Sequence, residues 1–136
     1  MLAVIAALVQ RRPIIFPLVV IAYFASSGLV DVLKLAIDRQ RPVDHPLVPE
    51  PTSSSFPSGH AATSFACAAT LAPFVSRTGA IVLYVLAAAI AFSRVYVGVH
   101  YPIDVLAGAA LGLLVATALR PLPAALRRSR RSPTGG

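Results

Sequence analysis

An all-α bundle embedded in a membrane is the fold this sequence predicts, and three observations predict it. The 136 residues are 57% hydrophobic and only 12% charged, with a mean hydropathy of +0.77, whereas about a quarter of a soluble globular domain is charged. The apolar residues gather in segments close to the ~20 residues that cross a hydrocarbon core, with roughly 17 as the lower limit. None of these segments alternates with the two-residue period of a strand, and Ala, Leu and Val dominate them. In lipid a helix satisfies its own backbone, so helices are the economical reading.

Taken in order, residues 1–9 are apolar but too short to span, with no basic stretch before them and no clear cleavage site after them. They read as the end of a helix whose earlier part is missing, or as a short interfacial segment. The first span covers residues 13–33, after Arg11-Arg12. The second covers 60–75 and ends at Ser76-Arg77-Thr78-Gly79; it is marginal in length and needs local thinning or help from Ser58-Gly59. The third covers 80–92 and extends through Val95-Tyr96-Val97, and the fourth covers 102–119 before Arg120-Pro121. The chain is thus one domain over 1–136, about four full transmembrane helices plus the N-terminal fragment, with 120–136 as a basic, disordered tail. The single Cys67 excludes an intrachain disulfide and sits in an apolar run as a small core or lipid-facing residue. No Cys/His cluster has zinc spacing.

Orientation follows from the Arg and Lys placement. With Arg11-Arg12 in the cytoplasm, the cytoplasmic side collects eight basic residues: those two, Arg77, Arg120, Arg127, Arg128, Arg130 and Arg131. The other side keeps only Lys34, Arg39, Arg41 and Arg94. The basic tail is a topology and anionic-lipid anchor rather than a nucleic-acid site. An even number of crossings then brings three polar motifs, spread over residues 34–104, to one extracytoplasmic face.

In the first motif Lys34 and Arg41 are seven apart, two turns along one helical face, and Pro42 stops the helix. Two cations at a helix exit suit phosphate oxygens, although such residues also snorkel to the interface. Arg39 and Asp38 lie off this stripe and read as pairing with each other, and Asp31 reads as a neutraliser of Lys34. His45 and Asp44 have no partner and are assigned nothing. In the second motif, Ser58 stands as N-cap before an apolar run and Gly59 lets a ligand approach the backbone. The outward N–H groups make an anion site at which His60 points; a capped helix with an interfacial His is equally a common structural feature. In the third, Pro102 opens a helix with Asp104 in its first turn and His100 just outside. Asp104 is placed to accept the Nδ1–H of His100, leaving Nε2 for a substrate, or simply to cap the helix. Arg94, beside Ser93, is costly to bury unless it meets an anion.

Lys, six residues, Arg-Pro; Pro-Ser-Gly-His; Ser-Arg, five residues, His, three residues, Asp: this ordered set resembles the type-2 phosphatidic acid phosphatase superfamily, in its membrane-bound branch. The match holds at Lys34, Arg41, Pro42, Pro57, Ser58, Gly59, His60, Ser93, Arg94, His100 and Asp104. The resemblance implies a metal-independent lipid phosphate or diphosphate phosphatase with no cofactor. By position His100 is the nucleophile that forms a phosphohistidine, Asp104 its orienter and His60 the general acid. Lys34, Arg41, Ser58, Gly59 and Arg94 hold the phosphate. Two imidazoles in opposite protonation states imply a bell-shaped pH profile. Isoprenoid diphosphates, phosphatidic acid and phosphatidylglycerol phosphate are the substrate candidates. Membrane members of the family commonly have six spanning helices, so the resemblance implies one and a half more at the N-terminus, from a start assigned too late, or else a natural short form. A phosphotransferase with the same site and a non-catalytic truncated remnant are the alternatives; a vanadium-dependent oxidase ranks last because those relatives are soluble. An Arg-rich, Ala-rich, Lys-poor chain suits a bacterium of high GC content.

Overall fold

The computed structural model of the chain describes residues 13–42, 47 and 53–121. The readings of residues 1–9, of Arg11-Arg12, of Asp44 and His45, and of the tail after Pro121 lie outside the described residues. Four α-helices follow in order: α1 Ile15–Ile37, α2 Gly59–Leu71 with a 3₁₀ turn at Ala72–Phe74, α3 Arg77–Tyr96 and α4 Pro102–Leu119. The described residues hold no strand, so the fold is all-α as expected.

α1, α3 and α4 are each long and apolar enough to cross a membrane. α2 is not: its 13 residues rise only ~20 Å. The marginal second span at 60–75 is therefore a short helix and a tightened turn. Pro73 explains the break, since it has no N–H to give Ala69 and its ring crowds that carbonyl. Ser76 then caps α3, its Oγ accepting from Gly79 N at 3.1 Å.

α1 also ends earlier than its sequence suggests. Instead of running to Pro42 it stops at Ile37, with Asp38 in the left-handed region at φ 43° and ψ 48° and its N–H on Lys34 O. A short polar side chain tolerates that conformation. The serine run captures the backbone that follows. Arg39 N donates to Ser54 Oγ at 3.0 Å, Ser55 N to Arg39 O at 2.8 Å, and Ser55 Oγ to Gln40 O at 3.0 Å. Lys34 and Arg41 thus do not share a helical stripe: one comes from the last turn of α1, the other from the loop.

α2 is the centre of the bundle and packs on the other three helices, most extensively on α4. Its buried residues are small, Ala61, Ala62, Ala66, Ala68 and Ala69 among them. Opposite them α4 presents Gly108 and Gly112, one turn apart. A Cβ at Gly108 would collide with the Ser58 carbonyl, and one at Gly112 with that of Ala62. This is close backbone packing through a Gly-x-x-x-Gly stripe, suited to lipid, where tails compete with any large apolar contact. The large apolar side chains accordingly point outward, Phe24, Leu35, Phe92 and Leu114 among them.

Candidate active site

At the end of the bundle where α1 and α3 finish and α2 and α4 begin lies a cavity of about 420 Å³. Lys34, Arg41, Gly59, His60, Arg94 and His100 all line it. Three motifs separated by up to 66 residues along the chain (34 to 100) therefore meet around one space. Ser58 and Asp104, both fully buried, stand behind that lining.

Serine and main-chain oxygens hold two of the cations in place. Lys34 Nζ donates to Ser53 Oγ at 3.0 Å. Arg41 donates through Nε to Ser53 O at 2.8 Å and through Nη1 to Val99 O at 2.7 Å. Arg94 comes from the last turn of α3, and its buried Nε has no hydrogen-bond partner among the described residues. Asp31 lines the same cavity and acts on Lys34 through space, with no direct ion pair between them among the described residues. Among the described residues three cations face one acid in the cavity, and burying such an excess is costly until an anion enters.

Ser58 occupies the N-cap of α2, yet its side chain does not cap the helix. Its N–H donates to Asp104 O at 2.9 Å, and its buried Oγ lacks a partner among the described residues. That leaves the hydroxyl and the first-turn N–H groups of α2 for a ligand. Packing does not demand glycine at 59, since a Cβ there would only touch Val30 at 3.6 Å. His60, in the same first turn, is exposed towards the cavity.

His100 is 6% exposed. Its Nε2 lies 3.5 Å from Arg41 Nη1, a contact that suits the tautomer with Nε2 unprotonated because a guanidinium can only donate. Its Nδ1 is 3.7 Å from Asp104 Oδ2, beyond hydrogen-bond range, so the direct donation expected from sequence is not made. Burial, then Arg41, push the His100 pKa down to about 4, with the Ser55 main chain and Asp104 pulling the other way. The imidazole is therefore neutral at neutral pH.

The oxygens of Asp104 are committed elsewhere. Oδ1 accepts from Arg39 Nη1 at 2.8 Å and Oδ2 from Tyr101 N at 2.9 Å. Arg39 therefore pairs with Asp104 rather than with Asp38, and its guanidinium lies 4.4 Å over the Tyr101 ring. Sequence reasoning missed Arg39 because its partner is 65 positions away. The available signal was its charge, which needs a partner in so apolar a chain. Ser53, Ser54 and Ser55, to which no role is assigned above, hold the Arg39–Arg41 loop in place.

A family model, the PAP2 superfamily, matches residues 16–128. The chain is 36% identical over 112 residues to the decaprenylphosphoryl-5-phosphoribose phosphatase of Mycobacterium tuberculosis, covering 79% of this chain and 61% of that protein. It is 37% identical over 126 residues to phosphatidylglycerophosphatase B of Bacillus subtilis, covering 84% and 61% respectively. Among solved structures, a transmembrane PAP2 type phosphatidylglycerolphosphate phosphatase from Bacillus subtilis superposes with a TM-score of 0.77 at 34% identity, covering 88% of this chain and 64% of that one. The chain spans about three fifths of the length of these curated relatives.

Proposed function

The chain belongs to the PAP2 superfamily, and from that premise we propose that it is a membrane lipid phosphatase that works through a phosphohistidine on His100. The observation that carries this reading is the position of His100, its Nε2 set beside Arg41 in a cavity shared with Lys34, Arg94 and His60. Nε2 attacks phosphorus in line, so that an N–P bond forms as the bond to the lipid oxygen breaks. His60 gives its proton to that oxygen, then takes one from a water that attacks the phosphohistidine and releases phosphate. Lys34, Arg41 and Arg94 neutralise the charge that builds on the equatorial oxygens. Ser58 Oγ and the Gly59 N–H add donors at the start of α2. Positioning and charge stabilisation of this kind are most of what phosphoryl transfer requires of a protein.

The positive-inside rule puts this end of the bundle outside the cytoplasm. A phosphate at headgroup depth reaches the cavity from there while its tail lies along the apolar outer faces of the helices. The two named relatives support a substrate of the lipid phosphate class, and isoprenoid diphosphates, phosphatidic acid and phosphatidylglycerol phosphate are the candidates. The test is phosphate release from a panel of these lipids in detergent micelles with EDTA present. Metal-independent release is expected. Transfer to an added alcohol without release would make the protein a phosphotransferase, and a folded sample inert on every lipid would end the phosphatase reading.

The pH dependence has a sign. A nucleophilic imidazole must be unprotonated, and His100 takes up its proton only as pH falls through about 4, not through the ordinary imidazole value of about 6.5. The acid limb of kcat/KM, corrected for ionisation of the substrate phosphate, is expected well below that ordinary value. A corrected limb at the ordinary value would remove His100 from the nucleophile's role or its burial from the working enzyme.

A further inference from the structure

Arg39 does not line the cavity, yet both its main chain and its side chain are tied into the site's framework. Its N–H, its C=O and its guanidinium all have partners: Ser54 Oγ at 3.0 Å, Ser55 N at 2.8 Å and Asp104 Oδ1 at 2.8 Å. The guanidinium is also seated on the Tyr101 ring, one residue from His100. The 38–42 loop, the serine run and the first turn of α4 are thus joined at this one residue.

We propose that Arg39 is a positioning residue for His100: by holding Asp104 Oδ1 from behind the cavity, it keeps the carboxylate from closing on the imidazole and offsets part of its charge. The proposal rests on the reading of His100 as nucleophile and goes beyond it. Asp104 is fully buried, so its orientation is set by its donors alone. With Oδ1 on Arg39 and Oδ2 on the Tyr101 N–H, Oδ2 stops 3.7 Å short of His100 Nδ1. Removing Arg39 leaves one backbone donor on a buried anion, with the His100 ring only 3.7 Å away. The carboxylate then turns its full charge on the imidazole, which favours the charged ring. Among the described residues the other charged or titratable groups around His100 are Arg41, Lys34 and Tyr101, then His60, Arg94, Asp31 and Tyr23 across the cavity; none of them is altered by the substitution. The Arg39 side chain is 37% exposed, so solvent screens part of its charge and the expected effect is moderate.

The chain has only three histidines, His45, His60 and His100, which makes a direct titration practical. The whole protein, ¹⁵N-labelled at histidine in detergent, is titrated by NMR, with His100→Gln assigning the signal. In Arg39→Gln the His100 midpoint is expected to rise by about one pH unit, and Arg39→Lys is expected to restore it. In an Asp104→Asn background the same Arg39→Gln change is expected to move nothing. For a hydrolysed lipid, kcat near the acid limb falls by up to about tenfold while KM holds. A midpoint that stays put or falls in Arg39→Gln overturns the proposal, even if melting temperature drops, because that drop would mark a purely structural ion pair. If Arg39→Gln fails to fold, Arg39→Met keeps the stem on Tyr101 and replaces it in the same titration. A wild type that hydrolyses nothing defeats the phosphatase reading alone, since the titration reads the Arg39–Asp104–His100 linkage without turnover.

Discussion

His100→Gln is expected to abolish turnover of every lipid phosphate, by about four orders of magnitude or more, in a protein that still folds. The substitution removes the Nε2 beside Arg41 but leaves Lys34, Arg41 and Arg94 around the cavity, so phosphate binding is expected to survive. No other described side chain repeats that setting. His60 lines the same cavity but is exposed at the first turn of α2, where it suits proton transfer. His60→Gln should therefore behave differently. It loses most activity on a lipid alkoxide leaving group and much less on an aryl phosphate, whose leaving oxygen needs no proton. Because His60 also activates the second-step water, that variant should accumulate an acid-labile, base-stable ³²P-labelled enzyme. Melting temperature in detergent checks folding of both variants. Residual hydrolysis in folded His100→Gln at even a hundredth of the wild-type rate would exclude the covalent route.

Gly112→Val carries the largest expected loss of stability. A Cβ at 112 collides with the Ala62 carbonyl and lies 2.8 Å from Ala66 N. These are backbone atoms of a neighbouring helix, so no rotamer change relieves the clash and α2 must move away from α4. Overpacking a core costs about 1–3 kcal/mol where side chains can yield. Here the backbone resists, and a loss of about 3 kcal/mol or more is expected, read as a lower unfolding midpoint or as aggregation on extraction. Since Ser58 and His60 begin α2, any protein that does fold should also lose activity. Gly28→Ala is the control: nothing lies within 4 Å of its added Cβ, and Ala is the better helix former by about 1 kcal/mol. A Gly112→Val protein as stable as Gly28→Ala would show that the α2–α4 contact is not tight.

Much of the fold was legible without coordinates because composition and local rules govern it. Lipid forces buried backbone into helices, so apolar length alone located α1, α3 and α4, and Pro102 marked the start of α4. The same rules misjudged elements whose limits depend on distant residues. α1 stops at Ile37 because Ser54 and Ser55, some fifteen positions on, take the backbone of Arg39 and Gln40. The Gly108–Gly112 stripe was present in the sequence and went unread, though its four-residue spacing in an apolar helix is a recognised packing signal.

The site divides in the same way. The sequence by itself determined the residue types of an oxyanion cavity, whereas it is the packing of the helices that brings its three motifs to one end of the bundle. Only the tertiary structure decided which groups touch. It turned Asp104 towards Arg39 and Tyr101, left His100 3.7 Å from that carboxylate, and freed the Ser58 hydroxyl from the capping role its position suggested. The reason is physical. Membrane insertion and helix formation are set by local composition, whereas the pairing of a buried charge is settled by whichever donors the packed helices bring within about 3 Å.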